Sequence, residues 1–152
     1  MKNDLTLFDL YPEIVDILKN GGTFKFTPSG NSMFPFLKDG ENEVEIKSAE
    51  NIKIGDVILV KTDDDFFLLH RVDEIRNGGF ILRGDNLLKR EGVFTEKNII
   101  GKMVGYTKDG KYIDVNSRKV KHYLKYALPI HRFNLRIRRK LKMIVKGQKN
   151  VD

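Results

Sequence analysis

Three side chains have the types and settings for covalent chemistry: Ser32, His70 and Asp85. Ser32 sits in the middle of PSGNSMFPFLKDG, residues 28–40, where Pro, Gly and Asn enforce an irregular backbone. A serine held on such a bend presents its Oγ together with nearby backbone N–H groups. A nucleophile needs that pairing, because the N–H groups can stabilise the oxyanion that its attack creates. Met33 and Pro35 follow within the same bend. His70 alternates with Leu68 and Val72, so it shares their face of a strand. It reads either as a general base or as a buried histidine satisfied by a backbone carbonyl. Asp85, in RGDN (83–86), begins a loop after the neighbouring strand. It reads either as a turn cap or as the group that orients an imidazole. The chain order Ser, His, Asp differs from the Ser, Asp, His order of the α/β-hydrolases, so a nucleophile elbow does not apply. Lys61 is the next candidate for a base.

The elements that must position these groups are legible from periodicity. Residues 8–20, FDLYPEIVDILKN, predict a helix with Asp9 as N-cap, Pro12 in the first turn and Gly21-Gly22 as the stop. Leu10, Ile14, Ile17 and Leu18 form its apolar stripe. The period then changes to two. TFKFT and EVEIK alternate, and DVILV (56–60) is a continuous apolar run suited to burial on both faces. FFLLHRVDEIR (66–76) and GFILR (79–83) flank Asn77-Gly78, a tight-turn signal. IIGKMVGY (99–106) and KYIDV (111–115) flank Asp109-Gly110, a second one. Asp63–Asp65 reads as a solvated hairpin loop. Residues 23–116 thus predict six to eight short antiparallel strands in a curled sheet or partial barrel. The segment 118–146 is helical in pattern, with Pro129 dividing it into two pieces. The expected organisation is an N-terminal helix (1–23), a β-rich domain (24–116) and a basic helical tail (117–152). The fold class is mainly β (α+β).

Composition narrows the function classes. The 152 residues contain no cysteine, which excludes disulfides, thiolate metal sites and a cysteine nucleophile. The three histidines are far apart in sequence and make no metal motif, so no cofactor is expected. No apolar run is long enough to span a bilayer, and acids near the N-terminus argue against a signal peptide. The expected compartment is the cytoplasm, with a peripheral position at the inner membrane surface. The net charge of +7 is unevenly divided. Residues 118–152 hold 12 Lys and Arg against one acid, whereas residues 1–117 hold 16 against 20. In the second helical piece Phe133, Ile137, Leu141 and Ile144 share one face, among Arg136, Arg138, Arg139, Lys140 and Lys142. Core packing explains that stripe as well as an external surface does. The lack of acid favours an anionic partner for 118–146: a membrane surface first, nucleic acid behind it.

Five boxes in order, SGNSMFP, GDVILV, LHRV, RGDN and IIGKMVG, resemble those of the signal peptidase I and LexA-type serine peptidase superfamily. The likeness covers about residues 24–106. It implies that Ser32, directly before Met33, is the nucleophile. His70 stands where bacterial signal peptidases and LexA-type proteins carry a lysine base, as in the archaeal and endoplasmic-reticulum type. Asp85 matches the aspartate of that type's GDN box. The chain departs from the S-G-S-M spacing through Asn31. Gly30 therefore takes the place of an oxyanion-hole serine, and Ser29 lies one residue further off. The spacing looks more like the LexA side, where backbone amides form the hole. Ser29, Gly30, Met33 and Pro35 are the expected oxyanion and substrate-contacting set. No helix-turn-helix domain fits before Phe24. The resemblance implies a serine endopeptidase acting on a peptide or protein substrate laid extended along a strand edge, with small side chains near the cleaved bond. The alternative is a non-enzymatic or self-cleaving regulatory module whose basic tail binds membrane or nucleic acid.

Overall fold

The computed structural model describes residues 6–148, with side chains as far as Val145. Its centre is an open antiparallel sheet of eight strands: β1 (Phe24–Phe26), β2 (Val44–Lys47), β3 (Val57–Lys61), β4 (Phe67–Arg76), β5 (Gly79–Arg83), β6 (Glu91–Phe94), β7 (Ile99–Lys108) and β8 (Lys111–Asp114). The spatial order is β1-β2-β7-β3-β4-β5-β6, with β8 on β7. The sheet is not closed, so β1 and β6 are edges. Both predicted tight turns form. Asn77-Gly78 and Asp109-Gly110 take positive φ at both residues (50°, 75° and 52°, 72°), the conformation a two-residue hairpin demands.

The apolar run of β3 is buried on both faces. Val57 and Leu59 enter one core cluster with Ile14, Leu18, Val44, Ile46, Met103 and Val120. Ile58 and Val60 enter a second with Val72, Phe80, Leu82 and Phe94. Strict alternation along the strand sends neighbouring residues to opposite sides, so one strand serves two cores.

The flanking helices belong to the first of these cores. Helix α1 (Tyr11–Lys19) buries Ile14 and Leu18. Ile17, expected in the same stripe, is 40% exposed. Asp9 is not its cap. Leu10 holds that position with no side-chain bond, because Asp9 Oδ2 already accepts from Thr6 N (2.9 Å) and Oγ (2.7 Å). Helix α2 (Arg118–His122) starts at Ser117, whose Oγ accepts from Val120 N. Val120 is 2% exposed and sits in the sheet's core. Pro129 does not divide the helical tail into two separate pieces. A π-helical turn, Tyr123–Ala127, joins α2 directly to α3 (Leu128–Gln148). Proline cannot donate to the carbonyl four residues back, and the wider turn before it relieves that mismatch. No helix among the described residues is long and apolar enough to cross a membrane.

Candidate active site

Ser32 lies in the long connection between β1 and β2, and this loop is fixed on several sides. Met33, Phe36 and Leu37 are buried in the main core. Leu37 N donates to Met33 O (3.0 Å) and Gly40 N to Pro28 O (3.3 Å). Asn42, 2% exposed, accepts from Lys38 N (2.7 Å) and donates to Thr107 O on β7 (3.1 Å). The serine therefore stands on a scaffold rather than on a free loop.

Strand β4 brings His70 to it. His70 Nε2 is 2.9 Å from Ser32 Oγ. The other ring nitrogen, Nδ1, is 2.6 Å from Glu91 Oε2 on β6. An ionised carboxylate can only accept, so Nδ1 carries the proton and Nε2 is left as the acceptor for the serine hydroxyl. The imidazole is 4% exposed, and its tautomer is set by Glu91. Strand pairing explains how Glu91 arrives there. β5 pairs with β4 only as far as Arg71↔Arg83, and β6 pairs with β5 at Leu82↔Glu91. His70, one residue beyond the last β5 pair, faces the side chain that β6 supplies.

Asp85 is not at Nδ1. It is fully buried and takes a two-pronged bond from Arg71, Nε to Oδ1 at 2.8 Å and Nη2 to Oδ2 at 2.6 Å. Tyr123 Oη donates to the same Oδ2 at 3.1 Å. Burial, with the Asp85 charge beside it, pushes the Tyr123 phenol far above its ordinary range, so it remains a donor. The alternation of β4 explains the divergence. His70 and Arg71 are successive and point to opposite faces, so the charge cluster of Arg71 is separated from the imidazole.

The rest of RGDN (83–86) braces the Ser32 loop. A side chain at Gly84 would place its Cβ 2.6 Å from Ser32 O, so only glycine permits this approach. Asn86 N donates to Ser32 O (2.8 Å), and Asn86 Nδ2 to Asn31 O (3.0 Å). Asn86 Oδ1 is in turn 3.1 Å from His131 Nε2 on α3. Burial holds His131 below the ordinary histidine range, which favours a neutral ring that donates through Nε2. His131 also meets Phe34 edge-on, with ring centroids 6.2 Å apart. The helical tail thus touches the Ser32 loop directly at Phe34 and indirectly through Asn86.

A cleft of about 570 Å³ opens at Ser32 and His70. Phe24–Gly30 lines one side and Phe67–Leu69 another, with Met33, Leu37 and Leu59 also lining it. Ser29, Gly30 and Met33 contact this space, and Pro35 does not. The Gly30 N–H is committed to Asp39 Oδ1 at 2.7 Å and cannot serve an oxyanion. The Ser32 N–H has no acceptor among the described residues. Among the described residues β1 is hydrogen-bonded only to β2, so its outer edge can accept an extended chain. Lys61, the alternative base, is ion-paired with Asp65 at 2.6 Å, a contact that raises its pKa and keeps it protonated. Among the described residues no cluster of His, Asp and Glu could hold a metal ion.

The sequence did not point to Glu91, Gly84 or Asn86 as parts of this arrangement. A signal for the first existed. β5 must have a returning neighbour, and EGVF (91–94) is the next short stretch with β-formers. An acid at its start was the place to look. No protein-family model matches this chain, and no curated protein matches it.

Proposed function

We propose that the protein is a serine peptidase of the signal peptidase and LexA type, working through Ser32, His70 and Glu91. The observation that carries this reading is the hydrogen-bonded series Ser32 Oγ, His70 Nε2, His70 Nδ1 and Glu91 Oε2, open to a cleft beside a free strand edge. An extended peptide adds to the edge of β1 through main-chain hydrogen bonds. Ser32 Oγ attacks the scissile carbonyl carbon while its proton passes to His70 Nε2. The Ser32 N–H donates to the oxyanion. Glu91 stabilises the imidazolium through Nδ1–H. The C–N bond then breaks, and His70 returns the proton to the leaving amine. Water, deprotonated by the same nitrogen, releases the acyl group. Asp85 has no part in these transfers. Its role is to bind Arg71 and Tyr123 beneath the loop.

The test is labelling with a fluorophosphonate, which reacts with activated serines. Native protein should gain one adduct at Ser32, and Ser32→Ala and His70→Ala should gain none. Equal labelling of the native protein and Ser32→Ala would overturn the reading.

A further inference from the structure

Helix α3 turns one face to the body and the opposite face to solvent. Leu128, His131, Arg132 and Leu135 recur at helical spacing and are buried or half-buried. Ile130, Phe133, Ile137, Leu141 and Ile144 form a second stripe, each between 40% and 60% exposed. At about 100° per residue the two stripes lie roughly half a turn apart. Core packing therefore does not account for the outer stripe. Aligned large apolar side chains left in water mark a surface with a partner.

We propose that this stripe docks α3 flat on an anionic membrane surface, with its side chains among the acyl chains and the flanking cations at the headgroups. Charge selects lipid over a second copy of the chain. Residues 118–151 contain no acid, so two such helices repel one another. A two-stranded seam would also need an apolar residue three positions after Ile137, and Lys140 stands there. Nucleic acid would use the cations but leave Phe133, Leu141 and Ile144 in water. An interfacial helix uses both.

Among the described residues nine cations of the tail are exposed: Arg118, Lys119, Lys121, Lys125, Arg136, Arg138, Arg139, Lys140 and Lys142. None forms an ion pair among the described residues. Arg132 is excluded, because Asp73 binds it at 2.9 Å. Each cation brought to an anionic leaflet favours partitioning by about fivefold, so four together give several hundredfold. Docking would hold the nucleophile loop on the body side of α3, one helix diameter (~10 Å) from the lipid, since His131 on the inner face touches both Asn86 and Phe34. The docking itself is independent of the chemistry of Ser32.

Sedimentation with vesicles tests this on the full chain. Vesicles of phosphatidylglycerol and phosphatidylcholine should pellet the protein at low salt, and pure phosphatidylcholine should not. Raising salt to about 0.5 M should release most of it. The pair Phe133→Ser and Leu141→Ser, both at exposed positions, should retain the native melting temperature and lose at least tenfold in binding. Arg138→Glu with Lys142→Glu should lose more, and Ser32→Ala should bind as the native protein does. Three results would overturn the proposal: equal binding to the two vesicle types, failure to pellet with a clear shift on duplex DNA or RNA, or a lipid-free dimer that the Phe133 and Leu141 changes dissolve.

Discussion

In the proposed mechanism Ser32 and His70 act on one proton, so their removal should not be additive. Ser32→Ala, His70→Ala and the double variant should each lose about 10³- to 10⁶-fold in turnover of a peptide substrate. Independent losses in the double variant would separate the two groups mechanistically. The two carboxylates near the site should respond in opposite ways. Glu91→Gln leaves a hydrogen-bonding side chain in place but no longer requires the proton on Nδ1, and the cost to turnover should reach about 10⁴-fold. Its melting temperature should change little. Asp85→Asn leaves the Arg71 guanidinium buried against a neutral partner, and breaking such a pair costs about 3–5 kcal/mol. Its first symptom should be a lowered unfolding midpoint in urea, with fluorophosphonate labelling retained in whatever remains folded. A folded Asp85→Asn protein that has lost labelling, beside a fully active Glu91→Gln, would restore Asp85 as the orienting group.

At the scale of elements, the loop of Ser32 depends on a chain of contacts running from α3 through Asn86. Asn86→Ala removes the bond to Asn31 O and the partner of His131, about 0.5–1.5 kcal/mol each. Labelling of Ser32 should slow while the fold persists. His131→Ala should do the same, and His131→Gln, which can still donate to Oδ1, should recover part of the rate. A loss of stability with an unchanged labelling rate would reduce both residues to packing. Much of this architecture was readable beforehand, because period and turn chemistry are local. The alternation in FLLHRV, the run VILV and the two positive-φ turns place β3, β4, β5, β7 and β8 directly. β6 escaped because Gly92 interrupts a four-residue strand, too short for any period to show. Glu91 escaped with it, and the aspartate of RGDN took its place in the reading. Nothing local reveals that Asp85 faces an arginine from another strand. That depends on which face Arg71 takes beside His70, and on where β5 stops pairing.

The molecule as a whole is held at the root of its tail by charge. Asp73 on β4 binds Arg83 of β5 (2.6 Å), Arg90 before β6 (2.6 Å) and Arg132 of α3 (2.9 Å). Cutting the chain at Ser117 would remove Arg132 along with Val120 and Leu128, whose burial contributes about 1.5–3 kcal/mol each. Such a truncation should destabilise the sheet, so surface substitutions on α3 are the sound way to study the tail. The same cluster predicts acid sensitivity. Burial works against the charged form of Asp73, but the bonds and charges of Arg83, Arg132 and Arg90 outweigh it and hold the carboxyl below its ordinary range. A carboxyl depressed in the folded state contributes stability that is fully present above the unfolded value of about 3.9 and is lost as pH falls through the folded value. The urea midpoint should therefore decline as pH falls from about 4 towards 2. Asp73→Asn should start lower at neutral pH, because three arginines lose their shared partner, and then decline less steeply over that window. A variant whose acid limb runs parallel to the native one would show that Asp73 is not the group whose protonation loosens the tail.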